Sequence, residues 1–238
     1  MSGPSTALLV SADADVLRNA TFLRGARTRS PELVEPRRRL VRCLLATADT
    51  RAVVLSAPAG YGKTALLEAW SRSESRRVVW VTLDRLRDDV AAGEPELAHA
   101  LAELRGEPRP AVLVIDDADA SGGVVAARAL QAAARDLPAS VTLVLSGRSA
   151  PPAAIGHLRS AWPMLELGAE DLAMTHGEAS EMLRAAGVAL DGAAVATLLA
   201  RTEGWPAGLR LAAVAPIGST RGWHGSATGR SRGGRCWR

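Results

Sequence analysis

Val53-Val54-Leu55-Ser56-Ala57-Pro58-Ala59-Gly60-Tyr61-Gly62-Lys63-Thr64 decides the fold of this chain. It reads as the end of a buried strand, a turn-forming loop and the start of a helix over Lys63 to Ser73. Gly60 and Gly62 let the backbone curl with its N–H groups facing one point, since no side chain blocks the approach. The helix that follows adds the partial positive charge of its N-terminus. Such a loop suits the phosphates of a nucleoside triphosphate: Ala57, Pro58, Ala59, Gly60, Tyr61 and Gly62 line it, all but the proline bringing an amide N–H, and Lys63 reaches the outer phosphates. The Thr64 hydroxyl is placed to ligate Mg²⁺. Ala57 stands where the usual pattern has its first glycine, a position that opens the loop. A plain glycine-rich turn is the competing reading. Lysine usage argues against it, because Lys63 is the one lysine beside 28 arginines, and a compact ammonium is wanted at that place.

Working outward, four more short runs rich in Val, Leu or Ile follow: Val78 to Leu83, Ala111 to Ile115, Val141 to Leu145 and Met164 to Leu167. With Ala52 to Leu55 they predict five strands buried on both faces of a parallel sheet. Helical patterns lie between them at Lys63 to Ser73, Glu96 to Leu104 and Val124 to Asp136. The fold class is therefore α/β, a P-loop NTPase sheet with flanking helices. A loop of this kind needs an acid at the end of another buried strand, and Val112-Leu113-Val114-Ile115-Asp116-Asp117 supplies it. Asp116 is the expected metal-side carboxylate and Asp117 the residue that polarises an attacking water. A strand that merely ends in an aspartate turn is the alternative. Val144-Leu145-Ser146-Gly147-Arg148 ends the next strand, and Arg148 is the candidate sensor of the outermost phosphate, against the reading of a solvated loop arginine.

After Gly168 the pattern becomes helical. Thr175-His176-Gly177-Glu178 has capping-box spacing before Ala179 to Ala186. A second helix is expected from Gly192 to Arg201 and a third from Trp205-Pro206 to Val214. The expected organisation is a loose extension over 1–30, an NTPase core over 31–168 opened by a short amphipathic helix between Pro31 and Ala48, a helical lid over 169–218, and a disordered Arg/Gly-rich tail over 219–238.

Composition supports one sizeable core: 47% of the 238 residues are hydrophobic. The net charge of +4 sits in the tail. Five of the 29 basic residues lie there with no acid, so residues 1–218 carry 24 basic against 25 acidic side chains. The charge is thus weak support for a nucleic-acid-binding face. Cys43 and Cys236 give neither a disulfide framework nor metal spacing. No apolar run reaches the roughly 20 residues of a membrane span, and no signal peptide is evident, so a cytoplasmic location is expected.

Taken in order, Ala57-Pro58-Ala59-Gly60-Tyr61-Gly62-Lys63-Thr64, Trp80-Val81-Thr82-Leu83-Asp84, Val114-Ile115-Asp116-Asp117, Ser146-Gly147-Arg148-Ser149-Ala150-Pro151-Pro152 and Thr202-Glu203-Gly204-Trp205-Pro206-Ala207-Gly208-Leu209 resemble the ATPase module of MalT-like regulators. These are large ATP-binding LuxR-family transcription activators within the STAND ATPases. The resemblance covers about Pro31 to Pro216. It implies a switch that binds ATP or ADP with Mg²⁺ between core and lid, with at most slow hydrolysis, and that self-associates on nucleotide exchange. Gly204-Trp205-Pro206 matches the family's glycine, variable residue and proline motif, so Pro206 is implied to sit against the nucleotide. The arginines at 37–39 resemble the family's arginine-bearing lead-in, without specifying which one aligns.

Two departures stand out. The stretch between Asp84 and Ala111 is shorter than in the family, and sensor repeats and a helix-turn-helix are missing. The reading is of a truncated product that does not bind DNA by itself. A stand-alone P-loop ATPase or phosphotransferase is the alternative, and a nucleic-acid binder acting through the basic tail is a third.

Overall fold

The structure is a computed structural model that describes residues 20–22, 37–47, 49–83, 93–118, 131, 135–149 and 152–214. In chain order the elements are β1 (Ala20–Phe22), α1 (Arg38–Leu45), β2 (Ala52–Ser56), α2 (Lys63–Ser73), β3 (Arg77–Thr82), α3 (Gly93–Arg105), β4 (Ala111–Asp116) and β5 (Val141–Gly147). They continue with α4 (Pro152–Ala161), β6 (Met164–Leu167), α5 (Ala169–Leu172), α6 (His176–Ala185), α7 (Gly192–Thr202) and α8 (Pro206–Val214). The fold is α/β, with the six strands in one parallel sheet of order β1-β3-β4-β5-β2-β6.

Apolar runs β2 to β5 become strands because both faces are covered, and the period of two sorts each run between them, whereas β6, expected to be buried on both faces, lies at the sheet edge half-buried with Glu166 exposed. Val54, Val79, Val81, Leu113, Ile115, Leu143 and Leu145 face one way, onto Leu97, Leu101 and Leu104 of α3 and Ile155 and Leu158 of α4. Their neighbours Val53, Leu55, Val78, Trp80, Val112, Val114 and Val144 face the other way, onto Leu40 and Leu44 of α1 and Leu66, Leu67 and Trp70 of α2. A third cluster joins the last helices: Met174, Ala179, Met182, Leu183, Val195 and Leu209 pack together, with Leu198 and Leu199 against them. The expected capping box forms, with the Glu178 amide donating to Thr175 Oγ1 at 3.3 Å and the Thr175 amide to Glu178 Oε2 at 2.9 Å.

Three elements differ from the sequence-based expectation. The sheet gains a sixth strand, β1, inside the segment 1–30 that was expected to be a loose extension, because three residues are too few to show a period. Helices α4 and α5 fill the connection to and from β6, where no helix was assigned. In α4 the helix opens on Pro152, which is tolerated in the first turn and masks the start. The expected helix at Val124 to Asp136 lies mostly outside the described residues, as do 1–19, 23–36 and the tail 219–238. Among the described residues no helix is long and apolar enough to cross a membrane.

Candidate functional site

Parallel strands place their carboxyl ends on one edge, and the register brings three of these ends together. β5 lies between β2 and β4, with Ser56 of β2 opposite Gly147 and Ile115 of β4 opposite Leu145. The loop 57–62 leaving β2, Asp116 ending β4 and Arg148 following β5 therefore share one edge, where the sheet order reverses.

Every carbonyl of the loop has a donor. Lys63 is 8% exposed, and its Nζ donates to Ala57 O at 2.7 Å and Pro58 O at 3.2 Å. Trp205 Nε1 donates to Ala59 O at 3.0 Å, and the Ala207 amide to Gly60 O at 3.1 Å. Arg37 Nη2 donates to Tyr61 O at 3.1 Å, and the Leu66 amide to Gly62 O at 2.9 Å. Gly60 and Gly62 take φ of 84° and 75°, left-handed values that favour glycine. Gly60 is required twice over, because a Cβ there would lie 2.6 Å from Trp205 Nε1 and 2.7 Å from Ala207 Cβ.

Asp116 is 1% exposed. Its Oδ2 accepts from Thr64 Oγ1 at 2.8 Å, and its Oδ1 accepts from the Asp117 amide at 3.0 Å and from Ser146 Oγ. Asp117 itself has φ of 52°, so the chain turns sharply just past the strand. Thr64 and Asp116, 52 residues apart, thus meet directly. They offer a hydroxyl and a carboxylate, hard oxygen donors of the kind Mg²⁺ takes, so the residues present fit that ion. The loop fits a polyphosphate equally well, with two left-handed glycines, a helix N-terminus and a buried ammonium in eight residues.

Pro206, buried, is the first residue of α8, and the turn before it is seated on the loop by Trp205 and Ala207. Gly204 has φ of 70° and its carbonyl accepts from the Met174 amide at 2.9 Å. Arg148 is exposed at the edge.

Three residues gain a place that the sequence reading did not assign. Ser146 holds Asp116. Trp205, quoted only as the variable residue of a motif, binds the loop. Arg37 is buried at 7% exposure, whereas Arg38 and Arg39 are exposed. Arg37 Nη1 donates to Leu172 O at 2.7 Å, so the residue ties α1, the loop and the end of α5 together. Burial pulls its guanidinium below the ordinary value, with the Glu178 carboxylate acting in the opposite sense. The sequence carried a signal for the cluster, not for its member: cations at a helix N-terminus oppose the helix dipole, so arginines there point to a demand from elsewhere. Arg39 adds an outer contact, Nη2 to Asp171 O at 2.9 Å and Nε 3.7 Å from Glu178 Oε1.

With this geometry in view, the comparisons report a family model first. Residues 53–144 match the model of the ATPase family associated with various cellular activities (AAA). Two Thermotoga maritima RuvB structures, one a point variant and the other the Holliday junction branch migration motor, are similar at TM-scores of 0.45 and 0.41. Their identities are 24% and 22%, over 73% of this chain and 60% of theirs. More particularly, the chain is similar to the HTH-type transcriptional regulator MalT. It is 29% identical to that of Serratia proteamaculans over 210 residues, 75% of this chain and 23% of that protein, and 30% identical to that of Klebsiella pneumoniae over 176 residues, 61% and 19%. The chain spans about a quarter or less of the length of these relatives.

Proposed function

We propose that this chain is a nucleotide-binding regulatory ATPase module, holding ATP or ADP with Mg²⁺ between the loop 57–64 and the helical lid that follows β6. The observation that carries the reading is the 2.8 Å contact of Thr64 Oγ1 with Asp116 Oδ2 beside the buried Lys63. In this role Lys63 leaves the Ala57 and Pro58 carbonyls to bind outer phosphate oxygens, and Thr64 and Asp116 hold the ion. Bound Mg²⁺ supplies neutralisation of phosphate charge. Ser146 and the Asp117 amide keep Oδ1 occupied, which aims Oδ2 at Thr64 and the metal side. Asp117 is the candidate to orient water, Arg148 to read the outermost phosphate, and Pro206 to close over the nucleotide.

Hydrolysis in such a module is slow and serves to reset a switch, and the nucleotide state governs self-association. Steady-state turnover tests the regulatory part: a rate far below one per second supports it, whereas rapid partner-independent hydrolysis favours a stand-alone ATPase. Light scattering with ATP against ADP tests self-association, and identical masses in both overturn it.

A further inference from the structure

Three consecutive carbonyls of the loop are held by groups from outside it: Ala59 O by Trp205 Nε1, Gly60 O by the Ala207 amide, and Tyr61 O by Arg37 Nη2. A peptide unit is planar and trans, so its C=O and N–H point in opposite directions. Fixing the carbonyls of 59, 60 and 61 outward therefore fixes the N–H groups of Gly60, Tyr61 and Gly62 inward. Among the described residues, no acceptor takes those three amides. The left-handed turns at Gly60 and Gly62 make them converge.

From this we infer that Trp205, with the Ala207 amide and Arg37, forms an outer clamp that presets the phosphate-binding amides, so that lid docking and phosphate affinity are one equilibrium. The inference deepens the proposed nucleotide-binding reading and rests on it. Trp205 is a positioning residue: its indole acts through the Ala59 peptide and its ring is backed by Gly208, where a Cβ would lie 2.7 Å from Trp205 Cε3. The absence of side chains at 60 and 208 is thus the condition for the ring to lie flat between loop and helix. Coupling of this kind is reciprocal: what the lid does for phosphate affinity, phosphate must do for lid docking.

Two measurements on the full chain test it. Trp205→Phe keeps a ring and removes the donor. Titration calorimetry with Mg²⁺ and ATP should show binding by the wild type and binding about fivefold weaker by the variant, the loss of one neutral hydrogen bond. In the wild type, the Trp205 indole N–H, assigned by its disappearance from the NMR spectrum of the variant or by selective labelling, should shift and exchange more slowly when ATP is added. Equal affinity in a folded Trp205→Phe, or an indole N–H indifferent to ATP, overturns the clamp while leaving nucleotide binding intact. Failure of the wild type to bind ATP overturns the nucleotide reading itself and the clamp with it. Should the variant not fold, the wild-type indole measurement still decides.

Discussion

Asp116 shows how much a single side chain carries. With its carboxylate almost wholly buried and accepting from Ser146, Thr64 and the Asp117 amide, it is satisfied on both oxygens. Asp116→Ala is expected to weaken the Mg²⁺-dependent part of ATP affinity more than the Mg²⁺-independent part, as read by titrations with and without the ion. An equal loss in both would contradict the metal-side assignment. Arg37 makes a second prediction. Its fork serves two carbonyls in different directions, which an ammonium cannot imitate. Arg37→Lys should therefore cost about 1–3 kcal/mol in denaturant unfolding, while Arg42→Lys on the exposed face of α1 costs within about 0.5 kcal/mol. The acid and the loop were legible because each is a residue type with little other reason to stand where it does. Which arginine of three turns inward was not legible, since it depends on the end of α5, 135 residues away.

At the scale of elements, burial on both faces made β2 to β5 readable as apolar runs, β6 was readable from its three apolar residues although Glu166 is exposed, and the alternation within each run told nothing of which neighbour it would meet. β1 and α5 were too short to carry a period, and α4 hid behind its opening proline. The N-terminal cap of α6 was readable from local chemistry alone. Thr175→Ala should cost about 1 kcal/mol through the lost N-terminal cap of α6, measured by urea unfolding. Gly204→Ala places an L-residue in a left-handed turn and a Cβ 3.0 Å from both Ala173 Cβ and the Met174 amide, so a loss above the roughly 1–2 kcal/mol of the backbone term is expected. The other end of the sheet sets a pH dependence. Burial pushes the Glu74 carboxyl up, but its bonds from Arg76, at 2.8 and 3.0 Å, outweigh this and hold it below the usual range. A depressed folded value means stability that is full above the unfolded value of about 4.3 and is lost as pH falls through the folded one. Glu74→Gln should flatten the fall in urea midpoint below about pH 4.3. An unchanged slope would show that Glu74 contributes no acid sensitivity.

For the whole molecule, contacts of the loop, Arg37 and Arg39 join the sheet edge to the helices that follow β6, so a ligand of the loop is felt by both parts. At a hundredfold excess over its dissociation constant, a nucleotide bound to the folded chain alone adds about 2.7 kcal/mol to unfolding. The most direct test of the account is calorimetric titration of ATP with Mg²⁺ into the wild-type chain and into Lys63→Ala. Saturable one-site binding by the first and its abolition in a folded second is the predicted result. No binding by the wild type, or equal affinity in both, would contradict the assignment of the loop 57–64 to a polyphosphate.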